Sequence, residues 1–433
     1  MLANVSRGGS LRARYLSGAA WSFLGTLIAQ IVLMASTALI SRILDNADFG
    51  AFILLQGTVT MLAVFAALGF GTLGTRYCAA LKNSDPDRLT RILTLGFVSI
   101  FSFGTITLVL FILLSGHVAD YVFGDSHIKP ALWLASGTLI FLAMDGFFKS
   151  ILIGFERLKQ VAHLSVIGAI FSLLITVSLT NSYGLFGAAG GMAASSLVQV
   201  VMSGYAVKQF GVAGKMRLYG DHWREERRLI TSFGVPALIA NIIVPASIWF
   251  SQTLLTRSDN GLAEVALFGI AMQWFNAILF VPTVANRVLM PLLTELVHEE
   301  KRSDTAQIVM YALILNCTLT LLISIGISVF GDNVLSFYGK AYADGKAVLI
   351  LISIAAALAS SISVTGNLIS AHSKMWLGSA MNFAWSMCFI LVAFGLIQNG
   401  YGAFGAAIGL VVAYIFHVTW SAVWLRKVLR VGR

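Results

Sequence analysis

The chain has 433 residues, 58% of them hydrophobic and only 11% charged, with a mean hydropathy of +0.85 and a formal net charge of +10. A soluble globular chain carries roughly 25% charged residues, so water is not the main solvent here. Cys78, Cys317 and Cys388 are odd in number and far apart, which argues against a disulfide framework or a cysteine-built metal site.

Twelve stretches are apolar for the length of about 20 residues that a helix needs to cross a hydrocarbon core. They are 16–40, 50–75, 92–115, 131–154, 161–181, 185–207, 229–256, 263–286, 307–330, 347–370, 376–397 and 402–425. The alternating strands of about ten residues that mark an outer-membrane barrel are missing, which leaves helices to satisfy every backbone group in lipid. The expected fold is all-α.

Span one follows Arg7, Arg12 and Arg14 and lacks a small-x-small cleavage site, so it reads as an uncleaved anchor ending at Ser41-Arg42. Span two closes on Gly69-Phe-Gly71-Thr-Leu-Gly74 and Arg76. This run fits G-x-G-x-x-G, but a dinucleotide site needs it after a strand and at the opening of a helix, so helix packing accounts for it. No G-x-x-x-x-G-K-[ST] motif occurs. ATP hydrolysis, a cofactor and a metal are not expected.

Span four carries Asp145 and Lys149 in its interior, four residues apart and so on one helix face. An ionised group near the bilayer centre costs at least about 2.5 kcal/mol and faces a watery cavity or a partner. Two readings fit. In one, Asp145 takes up a coupling proton or sodium ion while Lys149 attracts an anionic substrate. In the other, the two form an internal ion pair, with the lysine stem reaching toward the surface.

His163 in span five and His417 in span twelve are isolated and read as packing residues. Span six opens on Tyr183-Gly-Leu-Phe-Gly-Ala-Ala-Gly190, in which Gly187 and Gly191 form a G-x-x-x-G pair suited to close helix approach. Residues 208–228 carry Lys208, Lys215, Arg217, Arg224, Arg227 and Arg228 and read as a basic linker lying against anionic lipid. Span seven contains Pro236 and Pro245 and ends at Arg257; span eight contains Pro282 and ends at Arg287. Prolines here can serve gating or simply be tolerated in a membrane helix. Asn241, Trp249 and Gln252 of span seven, with Gln273, Trp274, Asn276 and Asn286 of span eight, suit either glycan contact or interhelical hydrogen bonding.

The octapeptide before span six returns before span twelve as Tyr401-Gly-Ala-Phe-Gly-Ala-Ala-Ile408, 218 residues later. Weaker echoes pair Ser41-Arg42 with Thr256-Arg257 and Lys159 with Lys374. The chain reads as a duplication: residues 1–207 form one six-helix half, 208–228 the linker and 229–433 the other half. An even number of spans per half implies two copies of like orientation, related by a pseudo-two-fold axis along the membrane normal with a cavity where they meet. Of the 29 lysines and arginines, 24 fall on one set of loops and five (Arg42, Lys129, Arg257, Lys340 and Lys346) on the other. The positive-inside rule then places both termini in the cytoplasm. The net charge of +10 follows from this topology, and no nucleic-acid partner is expected.

With Ser41 to Gly50, Gly69 to Tyr77, Gly154-Phe-Glu-Arg157 and Tyr183 to Ala189 in this order, the chain resembles the Wzx-type polysaccharide flippases. These are the O-antigen and exopolysaccharide transporters of the multidrug/oligosaccharidyl-lipid/polysaccharide exporter superfamily. The resemblance implies a transporter, not an enzyme, in the bacterial inner membrane. It would move polyprenyl-diphosphate-linked oligosaccharide by alternating access around a cavity bounded by helices one, two, seven and eight, with a polysaccharide polymerase as a candidate partner. By that analogy Arg42, Arg76, Arg257 and Arg287 are headgroup candidates, since a guanidinium binds phosphate oxygens in bidentate fashion.

Three other functions compete. A cation-coupled drug or metabolite antiporter of the same superfamily would show acidic residues in the first-half spans, where Asp145 is the candidate. A membrane-embedded sugar polymerase or ligase would carry a long external loop with catalytic residues, and none is present. A major-facilitator sugar carrier would show a G-x-x-x-D-R-x-G-R-like loop after span two, which residues 78–91 do not match.

Overall fold

The computed structural model describes residues 3–209 and 221–430, with side chains from Trp21 onward except at positions 221, 287, 288, 291 and 430. Lys215 and Arg217 of the linker, and the side chains of Arg7, Arg12, Arg14 and Arg287, lie outside the described residues. Every regular element among the described residues is helical. In chain order these are α1 (Ala3–Ile43), α2 (Asn46–Ala67), α3 (Leu73–Leu81), α4 (Pro86–Val118), α5 (Lys129–Gly154), α6 (Leu158–Gln209) and α7 (Val235–Leu255). Then follow α8 (Gly261–His298), α9 (Arg302–Val329), α10 (Gly331–Ser336), α11 (Lys346–Ala371), α12 (Met375–Gln398) and α13 (Gly402–Arg430).

Among the described residues, eleven helical stretches are long and apolar enough to cross a membrane. One of them, α6, runs for 52 residues and contains non-helical backbone at Gly184 (φ 57°, ψ −137°), so it is two spans joined at a glycine. The protein is an all-α, multi-pass membrane protein of about twelve helices. Leu113, Leu322 and Leu391, all on spans, are more than half exposed. Such surface is unfavourable in water and ordinary against lipid tails.

Two boundaries differ from the sequence expectation. Span two does not run through to residue 75. Leu68 and Gly69 take positive φ (43° and 68°), a short 3-10 turn follows over Phe70–Thr72, and helix resumes at Leu73. A β-carbon on Gly69 would stand 2.5 Å from Ala237 Cβ and 2.6 Å from the Gly234 carbonyl oxygen, so this close approach needs a residue without one. Arg76 therefore sits on α3, a separate short helix. Span eight has the opposite correction: the apolar stretch ends at Asn286, yet α8 continues to His298. Hydropathy marks where lipid contact ends, whereas helical hydrogen bonding continues into polar sequence. Arg287 is thus inside α8 and not at its end.

The two octapeptides have matching local backbone geometry. Gly184 and Gly402, the repeated second residue of the octapeptides, both have positive φ (57° and 46°). A β-carbon on Gly187 would fall 1.9 Å from Leu179 O and one on Gly191 would fall 2.6 Å from Thr176 Cα. Their counterparts Gly405 and Gly409 would meet Leu396 Cβ and Ala393 N, each at 2.9 Å. The turns after α5 and α11 also match. Phe155, Glu156 and Arg157 donate to the carbonyls of Ile151, Ile153 and Leu152, and His372, Ser373 and Lys374 donate to those of Leu368, Ser370 and Ile369. Glu156 and Ser373 both adopt the left-handed conformation that lets such a turn satisfy the last carbonyls of a helix.

Contacts divide the chain into two compact units: Met1–Leu44 with Leu55–Ile242, and Asp45–Leu54 with Ile243–Arg433. In the first, α6 packs along both α1 and α5, and α3 packs on α5, where a β-carbon on Gly154 would lie 2.7 Å from Gly74 O. In the second, α8, α9 and α11 enclose Leu289, Leu293, Val309, Val364 and Leu368. Trp385 stacks on Phe389 and tilts against Tyr414.

Gly187→Ala is expected to lower the thermal unfolding midpoint of the purified protein, since overpacking costs about 1–3 kcal/mol. Gly190→Ala, whose β-carbon meets nothing within 4 Å, is expected to leave the midpoint unchanged.

Candidate transport site

Asp145 lies nine residues before the end of α5, roughly 14 Å along the helix axis at 1.5 Å per residue. It is 7% exposed. Lys149 Nζ stands 2.6 Å from Asp145 Oδ2, and the Ser203 hydroxyl, from the second span of α6, donates to Asp145 Oδ1. Both carboxylate oxygens are therefore engaged, and the two charges neutralise one another inside the first unit. The matching lengths and closing turns of α5 and α11 align Asp145 and Lys149 with Ile362 and Gly366, neither of them charged. One unit alone carries the charge.

The arginine candidates occupy different settings. Arg42 is exposed in the last turn of α1, where a cation complements the helix dipole. Arg76 is exposed on α3, its guanidinium carbon 5.5 Å from the Phe233 ring centre and 5.6 Å from that of Tyr77. Arginine stacks on aromatic faces while its fork of N–H donors stays able to bind oxygen. Arg257 is exposed two residues past α7. Arg287 is helical in backbone, with its side chain outside the described set.

Of the polar candidates, Gln252 is buried, and its Oε1 has no hydrogen-bond partner among the described residues. Gln273 Oε1 accepts from the Tyr338 hydroxyl at 2.8 Å, and Asn286 Nδ2 donates to Ser363 Oγ at 2.7 Å. Trp249 and Trp274 are half-buried, while Asn241 and Asn276 are exposed. The structure thus brings Asp145 and Lys149 together directly, and ties Gln273 and Asn286 to neighbours within the second unit.

Several partners carry no local sequence signal. Ser203 is 58 residues from Asp145, and Phe233 reaches Arg76 only through the fold. Glu264, at the start of span eight, is a charged residue that the sequence reading passes over. Its Oε2 accepts the Ala403 backbone N–H at 2.6 Å and so satisfies a donor in the first turn of α13. The linker also has acidic partners. Glu226 binds Arg88 at 2.9 Å and Glu225 binds Arg91 at 3.5 Å, so residues 221–226 are tied to α4. Burial pushes the Cys78 thiol up to about 12, which suits a packing role over a reactive one.

A bundle of membrane-crossing helices with a neutralised ion pair inside one span defines an all-α multi-pass membrane protein. Residues 15–297 match the Polysaccharide biosynthesis protein family, and the chain belongs to that family. It is 22% identical to the EPS I polysaccharide export inner membrane protein EpsE of Ralstonia solanacearum, over 98% of this chain and 97% of that one. Among solved structures, it matches an inward-facing multidrug resistance MATE family transporter of the MOP superfamily with TM-score 0.75 at 14% identity, covering 93% and 95% of the two chains. It also matches the lipid II flippase MurJ in an inward closed conformation, with TM-score 0.74 at 13% identity, covering 94% and 88%. These likenesses show the MOP-superfamily fold.

Removing one member of the pair strands the other in a dry setting, which costs about 3–5 kcal/mol. Asp145→Ala and Lys149→Ala are each expected to lower the unfolding midpoint sharply. The double variant Asp145→Asn, Lys149→Gln is expected to recover most of the loss, as read by thermal unfolding in detergent.

Proposed function

We propose that this protein is a flippase that carries polyprenyl-diphosphate-linked oligosaccharide from the cytoplasmic to the periplasmic leaflet of the bacterial inner membrane. It works by alternating access and serves O-antigen, capsule or exopolysaccharide synthesis. The end-to-end match to a polysaccharide export protein of the inner membrane carries this reading, with the family match beside it. The physical need is plain: a diphosphate with several sugars cannot enter hydrocarbon without losing its hydrogen bonds to water. The lipid tail stays in the bilayer while the protein shields the headgroup.

In this reading Arg42, Arg76, Arg257 and Arg287 bind diphosphate oxygens, and the amide and indole side chains of α7 and α8 contact the glycan. Asp145 takes up the coupling proton or sodium ion. Once its carboxylate is neutralised, Lys149 loses its counter-charge and attracts the anionic headgroup, so ion uptake and cargo binding are linked through one pair. A polysaccharide polymerase is the partner that consumes the delivered units. The end-to-end match to a polysaccharide export protein favours this reading over a drug antiporter.

Arg76→Ala and Arg287→Ala are each expected to reduce delivery of lipid-linked glycan to the outer face by roughly tenfold or more, the worth of a hydrogen bond to a charged group. Delivery is measured in cells at matched protein levels, and undiminished delivery in both variants would remove the headgroup role. Both termini are assigned to the cytoplasm. A fluorescent protein that matures only in the cytoplasm, fused after Arg433, is expected to fluoresce, and a dark fusion of normal abundance would reverse the orientation.

A further inference from the structure

The second unit contains a cavity of about 560 Å³ at the end of the bundle where α8 gives way to α9 and α11 to α12. Two tight turns build it, each closed by a non-glycine residue in the left-handed conformation: Glu300 (φ 54°) and Ser373 (φ 57°). The last turns of α13 complete the wall with Trp424, Lys427, Val428 and Leu429. His372 meets Trp424 edge to face, with ring centres 6.2 Å apart, and its Nδ1 lies 2.9 Å from Leu368 O, so the indole is held by a ring that is itself anchored to the helix end.

The lining has two characters. Arg302, Lys374 and Lys427 stand against the single carboxylate of Glu300. Among the described residues, Lys374 and Lys427 have no ion-pair partner. The first unit handles its basic residues differently, since Arg88 and Arg91 of α4 are matched by Glu226 and Glu225. Leu296, Val297, Val428 and Leu429 supply an apolar wall beside the charges. A soluble anion needs only the charges, whereas a phosphate that carries acyl chains needs both. Basic pockets between membrane helices are suited to anionic headgroups, and the volume falls in the range of small-ligand sites, about 300–1,000 Å³.

We propose that this cavity is a binding site for the headgroup of an anionic phospholipid, with Lys374 and Lys427 on the phosphate and Trp424 at the headgroup–acyl boundary. On the orientation proposed above, the lipid comes from the cytoplasmic leaflet. Neither member of the α5 ion pair and none of the candidate headgroup arginines is among the residues that line it.

The test uses the full-length, delipidated protein in detergent, with lipid retention read by native mass spectrometry. Dioleoylphosphatidylglycerol is expected to bind, and dioleoylphosphatidylcholine to bind more weakly. Lys374→Gln and Lys427→Gln are expected to weaken phosphatidylglycerol binding by roughly fivefold for each lysine neutralised. Lys374→Arg and Lys427→Arg are expected to retain binding, which separates loss of charge from damage to the fold. Equal phosphatidylglycerol binding by the doubly neutralised variant overturns the proposal. So does full displacement of phosphatidylglycerol by millimolar inorganic phosphate or by a poly-glutamate peptide, since either would mark a site for a soluble anion.

Discussion

In hydrocarbon, an unpaired backbone N–H or carbonyl group has no water to fall back on and costs several kcal/mol. The whole chain is organised around that constraint. Helices satisfy their own backbone, and among the described residues the turns at helix ends place their polar groups where they find partners. The turns at Gly154–Arg157 and Ala371–Lys374 bond back to the last carbonyls of the preceding helix, and Glu264 supplies an acceptor to the first turn of α13. Without a hydrophobic force between helices in lipid, association rests on close packing, which is why glycines meet backbone at Leu179, Thr176, Leu396 and Ala393.

The same constraint applied to side chains explains the arrangement at Asp145. A lone carboxylate so far along a span would be held at a large cost, and the fold surrounds it with a lysine one turn away and a serine from another span. In α11, which matches α5 in length and closing turn, Ile362 and Gly366 stand at the corresponding positions, so the pair has no counterpart there.

Fold and cargo are separable here. The structure resembles a multidrug transporter and a lipid flippase almost equally well, with TM-scores of 0.75 and 0.74, because both use one helical architecture. A shared fold hosts different cargoes through different site residues. The polysaccharide assignment therefore rests on the family match and the end-to-end similarity to an export protein.

Membrane character and helix number are readable from the residues alone, since hydropathy is a local property that lipid rewards directly. The octapeptides at Tyr183 and Tyr401 marked the positions where the structure later showed matching left-handed glycines. Asp145 and Lys149 could be placed on one helix face by spacing, but two readings of them stood equal. Tertiary structure decided that they pair and that Ser203 joins them, because a partner 58 residues away leaves no periodic trace. It also decided the break at Leu68–Gly69 and the extension of α8 to His298. In the first, a distant segment requires a missing β-carbon; in the second, backbone hydrogen bonding outlasts the apolar sequence that hydropathy can detect.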